Sequence, residues 1–200
     1  MKRAHTAKGI TLGMAVLLAL ILSLPALAEF ALPSIFPQDV SVITAGEDVA
    51  AYTGPGEEYY RSANGKAAIQ ANAEVTVYGR TGDWLLVEYK AKLGGKPITR
   101  FAFVPAQRVG NADTFEELAL GELTMNIKPA GKVADAPDAS RDGFDGITIS
   151  RNKATLLATV FDAKNNPWFY FETTGYSKVD GKQMTVRGFV QPKDIVLLTK

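Results

Sequence analysis

The chain contains no cysteine, and its only histidine is His5. The first absence removes a thiol nucleophile, a disulfide, an iron–sulfur cluster and a lipid-modified N-terminal cysteine. The second removes Ser-His-Asp and Cys-His constellations and the ordinary zinc sites, because His5 lies in a segment expected to be cleaved. An excess of one charge is missing too. The formal net charge is +1, and setting aside Lys2, Arg3 and Lys8 turns it into −2. Without a Lys/Arg cluster the chain offers little to a phosphate backbone, so nucleic acid is not an expected partner. Carboxylate chemistry, such as that of a glycosidase pair, is the enzymatic route left open. The acidic residues are scattered along loops, however, and modules this small leave little room for a deep, dry cleft. No catalytic residue, cofactor or metal is expected.

What is present begins with delivery. Met1 to Ala28 has a basic start, an almost unbroken apolar run from Ile10 to Leu24, a helix-breaking Pro25 and the small-x-small triplet Ala26-Leu27-Ala28. That is the anatomy of a secretory signal peptide cleaved after Ala28; the alternative is an uncleaved membrane anchor. Cleavage leaves Glu29–Lys200 without a stable membrane anchor, secreted or associated with a cell wall. Residues 29–48 carry Pro33 and Pro37 and no clean period, which reads as an arm or linker with a short strand near Val40 to Thr44.

From Val49 the pattern sharpens into β-structure. An extended Val49-Ala50-Ala51-Tyr52 leads into Gly54-Pro55-Gly56, which forces a turn, and the loop runs on to the turn dipeptide Asn64-Gly65. Val75, Val77 and Gly79 alternate with Thr76 and Tyr78, and Trp84 to Lys90 follows after a polar turn. In that second run Leu85, Val87 and Tyr89 share one face, and Trp84, Leu86 and Glu88 the other. Gly94-Gly95 is a hairpin turn, and Phe101 to Pro105 returns as a strand. In the connector 111–120, Thr114-Phe115-Glu116-Glu117 matches a capping box and predicts one helical turn. The pattern then repeats: WLLVEY from Trp84 falls on WFYFET from Trp168, and FVPAQRV from Phe103 on FVQPKDI from Phe189. Leu85, Val87, Phe103, Phe169 and Phe171 are expected in the core. Asp138 to Gly143 resembles the start of a calcium loop, but Ile149 stands where the bidentate Glu belongs, so a polar turn is expected.

TGPGEEYYR, the strand Gly82-Asp83-WLLVEY and the closing FVPAQRV resemble the bacterial SH3-like (SH3b) domain of secreted and cell-wall-associated proteins. The resemblance spans about Val49 to Leu198 and implies an all-β fold of two small SH3-like β-barrels in tandem. Residues 49–110 would form the first and 121–200 a second, diverged copy. It also implies a binding role towards peptidoglycan or short extracellular peptides.

In that family an aromatic on the first strand, a Trp after the turn before the third strand and a Pro after the fourth floor a ligand groove. The matching residues are Tyr52, Trp84 and Pro105, joined by Pro55, Tyr59 and Tyr60 on the long loop and by Trp168 in the second copy. Glu57 and Glu58 are placed to meet an amine, and Arg61 a carboxylate. The competing structural reading is that these aromatics pack the barrel and pin the loop. The second copy has Ala134 in place of Tyr52 and Pro192 displaced behind Gln191, so its groove should be altered or lost. The expected function is a secreted, non-catalytic binding protein. The alternatives are a scaffold whose two barrels pack together and dock a protein partner, and a carboxylate-based hydrolase.

Overall fold

Residues 32–44, 46–138, 140 and 144–198 are described by a computed structural model of the chain. The signal segment expected over Met1–Ala28 and most of the Asp138 to Gly143 loop lie outside them. Asp138 Oδ1 accepts hydrogen bonds from Ser140 N at 2.9 Å and Ser140 Oγ at 2.7 Å, a local polar turn.

The fold is all-β. In chain order the strands are β1 (Asp39–Val42), β2 (Val49–Ala50), β3 (Ala68–Ile69), β4 (Glu74–Thr81), β5 (Trp84–Leu93) and β6 (Lys96–Pro105). After a connector come β7 (Leu123–Ile127), β8 (Val133–Ala134), β9 (Ile147–Ile149), β10 (Ala154–Phe161), β11 (Pro167–Ser177), β12 (Gln183–Val190) and β13 (Ile195–Leu197). One antiparallel sheet has the order β1-β4-β5-β6, a larger one β13-β7-β10-β11-β12-β8 with β9 on β11, and β2 pairs with β3 in a ribbon. Among the described residues neither sheet closes into a barrel.

The two sheets share a register. A β-bulge interrupts the β4–β5 pairing between Val77 and Gly79, and another interrupts β10–β11 between Leu156 and Ala158. Val77 pairs with Val87, and Leu156 with Phe171, at matching places beside these bulges. Ile43 bridges Val109 just as Ile127 pairs with Ile195, and Tyr52 bridges Phe103 just as Ala134 pairs with Phe189. A single 3-10 turn follows the last long strand in both halves, Ala106–Arg108 and Pro192–Asp194.

Two readings of the chain change here. Within the segment read as an arm, the described residues pack on the rest of the chain: β1 is a full member of the first sheet, and Ile35 and Thr159 are joined through Ile35 N to Thr159 O at 2.8 Å. The short strand expected near Val40 to Thr44 is β1, one residue earlier at its start, and its pairing with β4 could not be read from so short a run. The helical turn of the connector also falls before its apparent capping box, at Ala112–Thr114, with Phe115 extended and buried. Thr114 turns its hydroxyl back to Asn111 O at 2.7 Å, and the core claims Phe115.

The strands are long apolar runs because both of their faces are covered. Leu85, Val87, Tyr89, Ala102 and Val104 enter a core belonging to the first sheet; Phe169, Phe171, Val186 and Val190 enter one belonging to the second. Between them lies a shared layer built from the opposite faces: Tyr78, Leu86, Phe101 and Phe103 against Val160, Trp168, Tyr170 and Phe189. Phe101 and Phe189 meet across it with ring centroids 5.0 Å apart and planes at 63°, an arrangement that aromatic quadrupoles favour. Each large apolar side chain buried there stabilises the folded chain by about 1.5–3 kcal/mol. The halves therefore form one compact unit from Leu32 onward.

Candidate functional site

The Gly54-Pro55-Gly56 loop folds back on itself, with Thr53 N donating to Tyr60 O at 2.8 Å and Tyr59 N to Gly56 O at 3.3 Å. Gly54 is needed for this, because a Cβ there would run into the Tyr59 ring. Beside the loop, the start of β5 and the end of β6 pair Trp84 with Pro105. Ala106 N donates to Asp83 O at 2.8 Å and locks the following 3-10 turn onto the β4–β5 turn.

These pieces and the Asn111 to Thr114 turn enclose an open groove of about 890 Å³, floored by Trp84 and Pro105 and rimmed by Glu57, Asp83, Asp113 and Arg80. Trp84 is half-buried: it packs on the shared layer, and the Tyr52 ring stands perpendicular to it with centroids 5.7 Å apart. Arg80 is already engaged, by Glu117 at 3.5 Å and by Gly82 O at 3.1 Å. Three carboxylates against one occupied guanidinium give the rim a negative balance, which suits a cationic ligand group. Flat, rigid Trp and Pro surfaces offer contact area at little cost in side-chain entropy.

Comparison of the chain with protein-family models, curated proteins and solved structures finds no match. The site therefore rests on its own geometry.

Of the residues singled out from the sequence, Trp84 and Pro105 line the groove, and Tyr52 stands behind Trp84 as its support. Pro55 is half-buried in the adjoining loop. Tyr59 and Tyr60 face the other way, into the second half. Tyr60 is buried in the second sheet's core, with its hydroxyl donating to Asp145 O and its amide to Thr185 O at 2.9 Å. Tyr59 donates to Glu172 Oε2 at 3.0 Å, and the same oxygen accepts from Arg187 Nε at 2.7 Å. The Arg187 guanidinium also lies 5.4 Å from the Tyr59 ring centroid. Burial pushes the Tyr59 phenol above its ordinary pKa, with Arg187 pulling the other way, so it stays a hydrogen-bond donor at neutral pH. Arg61 donates to Ala67 O at 2.6 Å and serves the loop itself.

Trp168 is a correction. At the place equivalent to Trp84 its side chain is only 1% exposed, inside the shared layer together with Ile35. The segment that reads as an arm covers this end of the second sheet, and among the described residues no second groove opens there.

The loop beside the groove is thus latched to the second half. Tyr59→Phe deletes one bond to a charged acceptor and is expected to cost about 1.5–3 kcal/mol. Amide exchange should rise across residues 54–60 while the β5–β6 amides stay protected. Unchanged exchange in the loop would remove Tyr59 from that role.

Asp83, Asp113 and Arg80 were not foreseen as groove residues. Asp83 had a signal, since it directly precedes Trp84 in the turn that shapes the site. Asp113 comes from the connector, and nothing local in the sequence points it at the groove.

Proposed function

We propose that the protein is a secreted, non-catalytic binding protein built from two diverged SH3-like modules, of which the first carries the ligand groove. The ligand class that fits best is an extended peptide bearing an amine, as in the stem peptides of cell-wall peptidoglycan. The observation that carries the reading is the Trp84–Pro105 floor beneath a rim of Glu57, Asp83 and Asp113. An apolar platform with carboxylates at its edge binds a flat backbone segment and a neighbouring cation together. The lack of cysteine and of a mature histidine supports a role without catalysis.

The test is co-sedimentation of Glu29–Lys200 with isolated peptidoglycan. Trp84→Ala, verified as folded, should weaken binding tenfold or more, about 1.4 kcal/mol or above, as removal of a central aromatic anchor does. Binding should also weaken with salt, because the rim charges are exposed. Full binding by folded Trp84→Ala would move the function out of the groove.

A second reading, an extracellular scaffold that docks a protein partner, draws support from the shared layer, which already joins the two halves. It predicts no sedimentation of the wild type with peptidoglycan.

A further inference from the structure

Because the halves repeat one register, each serves as a control for the other. In the second half one row of side chains crosses four strands: Thr124 pairs with Thr155, Thr155 with Glu172, and Glu172 with Arg187. The matching row in the first half reads Val40, Thr76, Glu88 and Phe101. Where the first half buries a phenyl ring, the second buries a guanidinium that is only 8% exposed. The sheet does not require a charge at that position, since Phe101 fills its counterpart. A buried cation is costly unless paired, and Glu172 supplies the pairing.

Above this row lies an open depression of about 390 Å³, walled by Leu120, Glu122 and Leu157. Adjacent strands are about 4.8 Å apart, so the row presents hydroxyl, hydroxyl, carboxylate and guanidinium at even steps over roughly 14 Å. Tyr59 and Arg187 both bind Glu172 Oε2. Among the described residues Glu172 Oε1 accepts no hydrogen bond, and the depression reaches its carboxylate. Glu122 and Glu172 against Arg187 disfavour an anion. Two hydroxyls and a carboxylate oxygen in one row, backed by the guanidinium and flanked by two leucines, match a ring that carries hydroxyls on its rim and C–H groups on its face.

We propose that this depression binds a saccharide, at a site separate from the Trp84 groove and independent of the reading given to that groove. The same chemistry would take a free oligosaccharide or the glycan strand of a wall polymer.

The experiment titrates isotope-labelled Glu29–Lys200 with chitotetraose and follows amide shifts. Shifts are expected around Thr124, Thr155, Glu172 and Arg187, unchanged in Trp84→Ala. The pair Thr124→Val and Thr155→Val keeps the strands and leaves the Tyr59–Glu172–Arg187 contacts alone. It should weaken the probe about 5- to 30-fold, the loss of one or two hydrogen bonds. Competition between chitotetraose and peptidoglycan would assign the site to the polymer's glycan, and binding without competition to a free sugar. No shift at millimolar probe, shifts confined to the groove amides of Trp84, Ala106 and Gln107, or unaltered binding by the valine variant would each overturn the proposal.

Discussion

Asp135→Ala is expected to lower folding stability by about 3–5 kcal/mol, a large part of what a domain of this size has. Asp135 and Arg100 form a buried ion pair that joins the two halves. Their side chains are 3% and 5% exposed, and Arg100 Nη1 lies 2.6 Å from Asp135 Oδ2. Asp145 holds the other guanidinium nitrogen at 3.1 Å but is 42% exposed, so it replaces little of the lost charge. The backbone adds Phe101 N to Asp135 O at 3.0 Å, which sets β6 against the segment after β8. Removing the carboxylate strands a buried cation, and that desolvation penalty dominates over the lost attraction. Replacing both partners with apolar residues, Arg100→Met with Asp135→Leu, should recover most of the loss, because the pair repays its own desolvation only in part. Urea unfolding with an unchanged m-value is the measurement. An unfolding free energy for Asp135→Ala within about 1 kcal/mol of wild type would show that the pair does not hold the halves.

Trp168→Ala and Trp84→Ala occupy equivalent places in the repeat and should behave in opposite ways. Trp168→Ala empties a cavity in the shared layer among Val160, Tyr170 and Phe189, and about 3–5 kcal/mol is the expected loss. Trp84 keeps one side in the open groove, so its removal should cost about 1–2 kcal/mol of stability while taking away ligand binding. The two variants separate packing from recognition at one position of one motif. Equal destabilisation by both would mean that Trp84 is a core residue, and the groove would lose its floor as a binding surface.

The strand readings show how far pattern reaches. Alternation placed Leu85, Val87 and Tyr89 on one face of β5, and all three do enter the first core. The same alternation put Trp84, Leu86 and Glu88 on the other face, which a single module would turn to solvent. That face is covered as well, and a hint of it was present: WLLV and FAFV are apolar without interruption, as strands buried on both sides are. Gly94 and Gly95, with φ of 58° and 81°, make the hairpin turn that the dipeptide announces. Trp84 and Pro105 were named together only through the resemblance to SH3-like domains, and the hairpin register of β5 and β6 sets them opposite each other.

Local order is what the chain carries openly: the absence of cysteine, the turns, the alternating strands, and a motif used twice. Those depend on neighbours a few residues apart, where periodicity and turn chemistry act directly. The packing of one half on the other was settled elsewhere. Tyr59 meets Glu172 across 113 positions and Arg100 meets Asp135 across 35, and no local pattern encodes either partner. So Tyr59 and Tyr60 became anchors of the loop and Trp168 became core, while Trp84 kept its open face. Which of two equivalent tryptophans stays accessible depends on what the rest of the chain lays over it, and for Trp168 that cover includes Ile35.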